Sequence, residues 1–196
     1  MTNNKFLFVR RPWIWLKRFR KRRGYGVHSP WAFSLIDGVI LERGRYYAYD
    51  SLNKLHPWPV RMLKLYPLQC RRLLFRLANW VHPSSVLIFG DAPIETAYIR
   101  AAVPEAEMPN KPINPKMVSV VEKCSMVFVS SSYLLSYEPC PCALCILEGI
   151  HSSREALAKW REVQKNEAVG VTFDLYTYGL VFFDRSRHKQ HYIVNF

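Results

Sequence analysis

The sequence predicts a single α/β domain with a mostly parallel sheet, helices ahead of it, and an antiparallel hairpin at its C-terminal end. Three observations carry this expectation. Short continuous apolar runs, Val86–Phe89, Met126–Ser130 and Ala143–Leu147, suit strands covered on both faces. Helical apolar spacing precedes or separates them at Arg71–Val81, Pro93–Ala102 and Ser152–Lys165. Val169–Leu175 and Leu180–Phe183 flank Tyr176–Gly179, which is a hairpin pattern.

The elements follow in order along the chain. Residues 1–28 form a basic, aromatic N-terminal segment, helical from about Trp13 and ended by Gly24 and Gly26. The α/β domain spans residues 29–196. It opens with Ser29 as a helix cap and Pro30 in the first helical position. Ala32, Phe33, Leu35, Ile36, Val39 and Ile40 then recur at helical spacing. Residues 43–68, rich in Tyr, Pro and Arg, read as an irregular or partly helical connector. The Arg71–Val81 helix stops at His82, Pro83 and Ser84, just before the first strand. Four prolines between 103 and 116 make that stretch a loop, and Val118–Val121 a further short strand. Ser152 and Glu155 have the spacing of a capping box for the helix that runs to Lys165. Gln190–Phe196 is a last extended segment.

A chain of 196 residues with 49% hydrophobic content can bury a real core, which excludes general disorder. Its formal charge of +13 is concentrated at one end. Residues 1–36 hold nine Lys or Arg and no acid, leaving +4 on the remaining 160 residues. Arg10–Arg23 alone holds eight basic residues, interleaved with Trp13, Trp15 and Phe19. Such a segment suits nucleic-acid phosphates with bases stacked on the aromatics, or an anionic membrane surface. It equally suits a packed segment whose charges stay in water. No apolar run reaches 18 residues, so no spanning helix is expected. Arg10 and Arg11 interrupt the apolar start, which argues against a secretory leader. The five cysteines are therefore expected as reduced thiols in a cytoplasmic protein.

Four stretches carry a resemblance: GVHSPWAF (Gly26–Phe33), LLFRLANWVHPSSVLIFG (Leu73–Gly90), CILEGIHSSREALAKWREV (Cys145–Val163) and VTFDLYTYGLVFFDRSRHKQHYIV (Val171–Val194). In these the chain resembles small bacterial class I S-adenosylmethionine-dependent methyltransferases of the O-methyltransferase-like kind. The resemblance implies a Rossmann-like class I methyltransferase fold, here shortened, with N-terminal helices beside the sheet. It implies S-adenosylmethionine as cofactor, with Gly90 and Asp91 lining its pocket and Glu122 holding the ribose. Glu148 and His151, just after a central strand, would then face a small-molecule acceptor as an acid–base pair, or serve as two metal ligands with Asp91 nearby.

The departures are concentrated where the ligand would lie. Ile88 stands where the family places an acid before the glycine, and Ile94 where it places a second glycine. A β-branched side chain in such a turn obstructs a close-fitting ligand. Ser130, Ser131 and Ser132 replace an acidic turn, and Glu148 is followed by Gly149 in place of a second acid. The span from Gly90 to Glu148 is also short enough that at least one crossover helix must be abbreviated. The expected function is therefore that of a divergent methyltransferase-like protein, weakly active or non-catalytic. The competing expectation is a binding module that uses Arg10–Arg23 on RNA or an anionic membrane.

Two further constellations carry bland readings. Cys124, Cys140, Cys142 and Cys145 lack the paired spacing of a zinc knuckle, and no metal is expected. His28, ahead of the Ser29–Pro30 helix start, is read as a turn residue.

Overall fold

A computed structural model describes residues 16, 18, 19, 26–58, 60, 66–109, 124–139 and 141–196. The expected strand Val118–Val121, Glu122, Cys140 and most of Arg10–Arg23 lie outside the described residues.

Six strands form one mixed sheet: β1 (Val86–Phe89), β2 (Met126–Val129), β3 (Leu144–Glu148), β4 (Val171–Asp174), β5 (Tyr178–Phe182) and β6 (Gln190–Ile193). Their spatial order is β1-β2-β3-β5-β4-β6. β1, β2 and β3 pair in parallel, as do β4 and β6, while β5 pairs antiparallel with both β3 and β4. β5 therefore runs against the other five. The expected α/β architecture, mostly parallel with a closing hairpin, is present.

Both faces of the sheet are covered from β1 to β5, as the unbroken apolar runs required, while the edge strand β6 is largely exposed. Val86, Ile88, Met126, Phe128, Leu144 and Ile146 face one core layer. The alternate residues Leu87, Phe89, Val127, Val129, Cys145 and Leu147 face the other. Helices α1 (Pro30–Leu35), α2 (Tyr49–Leu52), α3 (Tyr66–Val81) and α4 (Pro93–Ala102) supply buried residues to the first layer. Helix α5 (Arg154–Lys165) and a single 3-10 turn, Leu134–Ser136, supply them to the second. Among the described residues that turn is the only helical element between β2 and β3, an abbreviated crossover of the kind expected.

Ser29 caps α1 with its Oγ accepting from Ala32 N–H, and Pro30 stands in the first turn. The helix then widens into a π-helical turn, Ile36–Ile40. Carbonyls at such an end lack partners within the helix. The buried Arg76 of α3 supplies them, its Nε donating to Val39 O (2.7 Å) and its Nη2 to Ile40 O (3.0 Å). One guanidinium thus closes the first helix and fastens it to the third.

The structure shifts several expected boundaries. α3 begins at Tyr66, earlier than the expected Arg71, and the connector before it holds α2 and a 3-10 turn at Asn53–Leu55. The cap of α5 is Ser153, whose Oγ accepts from Ala156 N–H at 3.1 Å. Ser152 is drawn into the preceding turn, where its N–H bonds Gly149 O at 2.8 Å. Within the expected loop after α4, Glu107 forms a parallel bridge to Ser85.

Gly179 lies inside β5, opposite Leu147 and Asp174, although the hairpin pattern placed it in the turn. Its requirement for glycine comes from packing. A Cβ there would sit 2.6 Å and 2.9 Å from ring carbons of Trp160, the fully buried tryptophan of α5. Overpacking of this kind typically costs about 1–3 kcal/mol. Gly179→Ala is expected to lower stability in urea denaturation by about that amount, and Gly179→Ala with Trp160→Phe to lose less than Trp160→Phe and Gly179→Ala summed.

Candidate functional site

In open α/β sheets, ligands bind beyond the carboxyl ends of the parallel strands. Here that end collects Gly90 and Asp91 after β1, Ser130–Ser132 after β2, Glu148–His151 after β3, and Asp174–Tyr176 after β4.

Gly90 has φ +96°, a conformation that disfavours any side chain. The space a side chain would take is filled from the β2 loop. A Cβ on Gly90 would collide with Ser130 Oγ and come within 2.8 Å of Tyr133 Cδ2. Ser130 is 4% exposed and its hydroxyl shares a hydrogen bond with that of Ser132 (2.8 Å). Its backbone N–H bonds Phe89 O at 3.0 Å. The glycine therefore permits the serine loop to press against the β1 turn. Asp91 is exposed, and the residue in the cap position of α4 is Ala92, with no side-chain cap. Ile88 and Ile94 both pack into the core layer on the α3–α4 side.

Glu148 ends β3 and accepts from Ser131 N–H through Oε2 (3.1 Å). Burial raises its carboxyl, with the charge of Glu95 adding to the rise, while Ser131 and Arg71 oppose it. Glu95 and Arg71 belong to a polar network absent from the sequence expectations. Arg71 Nε of α3 donates to Glu95 Oε1 in the first turn of α4 (2.7 Å). Arg71 Nη1 also lies 3.3 Å from His56 Nδ1, and His56 Nε2 lies 3.0 Å from Tyr98 OH. An arginine can only donate, so Nδ1 accepts and Nε2–H donates to the tyrosine. Burial and the Arg71 charge lower the His56 pKa, which keeps that neutral tautomer. Glu95 left one signal in the sequence: it shares the apolar face of α4 with Tyr98 and Ile99, where an unpaired carboxylate is not tolerated.

His151 is turned away by the bend after β3, where Gly149 has φ +77°. Its Nε2 lies 2.8 Å from Asp174 Oδ2, and its ring stacks on Tyr176 at 4.7 Å and 6°. Glu148 and His151, expected as a pair, thus hold separate partners. Arg18 completes the second group. Its Nη1 donates to Asp174 Oδ1 (2.9 Å) and to Asp174 O (3.2 Å), and its guanidinium lies 5.3 Å from the Tyr176 ring centre. Arg18 Nη2 is also 3.3 Å from His151 Nε2. One nitrogen cannot accept from Arg18 and donate to Asp174 at once. The shorter contact to a carboxylate decides it, so Nε2 carries the proton and the Arg18 contact is only proximity.

Asp174 Oδ1 additionally accepts from Tyr176 N–H (2.8 Å), which holds the hairpin turn where Tyr176 has φ +72°. Burial alone would raise the Asp174 carboxyl; hydrogen bonds and charge from His151 and Arg18 bring it down to about 2.

The remaining candidates stand apart from this end of the sheet. Cys124 and Cys145 are buried in the second core layer, donating to Met126 O (2.9 Å) and Tyr137 OH (3.3 Å). Among the described residues, no group of three His, Cys, Asp or Glu could hold a metal. His28 is exposed. An open groove of about 540 Å³, bordered by Trp31, Trp80, Cys142, Phe182 and Arg187, lies at the opposite end of the sheet.

The depressed Asp174 carboxyl sets a pH dependence. A folded pKa of about 2 against an ordinary 3.8 stabilises the fold above about pH 4, and that contribution is lost as pH falls towards 2. The shift corresponds to about 2 kcal/mol. Asp174→Asn is expected to lose about that much at neutral pH in urea denaturation. The gap between the two proteins should close between about pH 4 and about pH 2. A gap that persists unchanged at low pH contradicts the pairing.

No family model matches the chain, and no curated protein matches it.

Proposed function

We propose that the chain is a divergent, non-catalytic relative of the class I S-adenosylmethionine-dependent methyltransferases, in which the strand-end crevice is filled by the protein's own side chains. The observation that carries this reading is the β1 turn. The backbone of Gly90, which the resemblance offers to the cofactor, is covered by Ser130 and Tyr133. The fold supports the ancestry: β5 enters antiparallel between β3 and β4, the closing hairpin that the resemblance implies.

The charges support the loss of function. In methyl transfer the cofactor supplies the electrophilic methyl, and the protein aligns the acceptor and manages its proton. The described residues fit neither task. Arg71, the cation nearest the first turn of α4, is spent on Glu95. Asp174 is spent on His151 and on Arg18. Glu148 holds a backbone N–H of the loop that fills the turn. A ligand entering here would have to displace Ser130 and Tyr133.

Calorimetric titration of the full chain with S-adenosylmethionine up to millimolar concentration tests the proposal. No binding heat is expected. A micromolar Kd abolished by Glu122→Ala, with transfer of labelled methyl groups to any acceptor pool, overturns it.

A further inference from the structure

The groove at the opposite end of the sheet, about 540 Å³ in volume, has the size of a small-molecule site. Three aromatic rings build one corner of it. Trp31 of α1, Trp80 near the end of α3 and Phe182 at the end of β5 have ring centres 5.1 to 6.2 Å apart. The Phe182 ring stands at 88° to Trp31 and at 89° to Trp80. Phe182 is buried, whereas Trp80 lines the groove and stays 39% exposed. Flat apolar surface is thus left to the groove.

Arg187 supplies the polar element. Its guanidinium lies 4.3 Å from the Trp31 ring centre, and its Nε lies 2.9 Å from Asp184 Oδ2. The indole fixes the plane of the guanidinium, and the carboxylate fixes one edge. Among the described residues nothing else pairs with it. Its two terminal nitrogens keep their N–H donors, in the fork that matches phosphate or carboxylate oxygens. Asp184 adds no unmatched negative charge. Ser186 donates to its Oδ1 through both N–H and hydroxyl, and Arg187 meets its Oδ2. The turn Asp184–Lys189 sets three cations, Arg185, Arg187 and Lys189, against this one acid.

Charge decides between the ligand classes. A cation seated on these rings would meet Arg187 as a like charge. A neutral aromatic molecule would leave the donors of Arg187 unused. An anion attached to a planar ring uses both, with its ring on indole and its oxygens on the guanidinium. A lone aromatic carboxylate spans little of such a groove, whereas base, sugar and phosphate together occupy it.

We infer that the groove binds a free nucleoside monophosphate, its base against Trp80 and its phosphate on Arg187. The site lies at the other end of the sheet from the crevice, and the inference does not depend on whether that crevice holds a cofactor.

The test is calorimetric titration of the full chain with guanosine monophosphate and with uridine monophosphate. Probes without adenine leave the crevice unread, because S-adenosylmethionine carries adenine. A micromolar Kd is expected for at least one of them, with the matching nucleoside about tenfold weaker or more. Arg187→Met, a change at an exposed position, is expected to weaken the nucleotide about tenfold and to leave the nucleoside unchanged. Trp80→Ala is expected to weaken both by about tenfold. No binding of either nucleotide at millimolar concentration overturns the inference, as does nucleotide binding indifferent to Arg187→Met. A single-stranded RNA oligonucleotide that binds through Arg187 when neither mononucleotide does also overturns it, because the groove would then serve a strand.

Discussion

Asp174 is the point at which three distant stretches of this chain are tied together. A buried carboxylate is costly unless its oxygens are matched by donors and its charge by a cation. Here the backbone N–H of Tyr176, the imidazole of His151 and the guanidinium of Arg18 meet that demand together. The match explains features that otherwise have no local cause. Tyr176 adopts a positive φ because its N–H is held by the carboxylate two residues earlier. His151 leaves the end of β3 and stacks on Tyr176 because its Nε2–H is drawn to the same group. Arg18 is held at the end of β4 because it supplies the positive charge.

A second set of paired charges, Arg71 with Glu95 and beyond them His56 and Tyr98, occupies the same end of the sheet on the α3–α4 side. Between the two sets, Glu148 secures the serine loop against the β1 turn. Each group is of a kind that active sites use, yet each is matched internally. On the reading proposed above, a crevice that once met a ligand has become a structural joint. The same change leaves none of these charges free for catalysis.

Much of this architecture is legible in the amino-acid sequence. Val86–Phe89 and Pro93–Ala102 appear where apolar continuity and a proline at the first helical position put them. Strands β1 to β5 are buried on both faces, and their apolar runs identify them. What escaped notice depends on long-range contacts. Asp174 ends an apolar strand and looks like an ordinary turn residue; its partners are 156 and 23 residues away. Gly179 resembles a hairpin glycine, and only the position of Trp160 shows why it lies in the strand. The cap of α5 slipped by one residue because the turn at Gly149 claims Ser152. Local pattern identifies elements, whereas the joints between them rest on pairs that no spacing rule connects.

The account turns on the coupling between Arg18 and Asp174. A double-mutant cycle with Arg18→Met and Asp174→Asn, measured by urea denaturation at neutral pH, reads that coupling directly. A coupling energy of about 1–3 kcal/mol is the predicted result. A value below about 0.3 kcal/mol would mean that the two residues act independently, and it would contradict the joint that ties Arg18 to the end of β4.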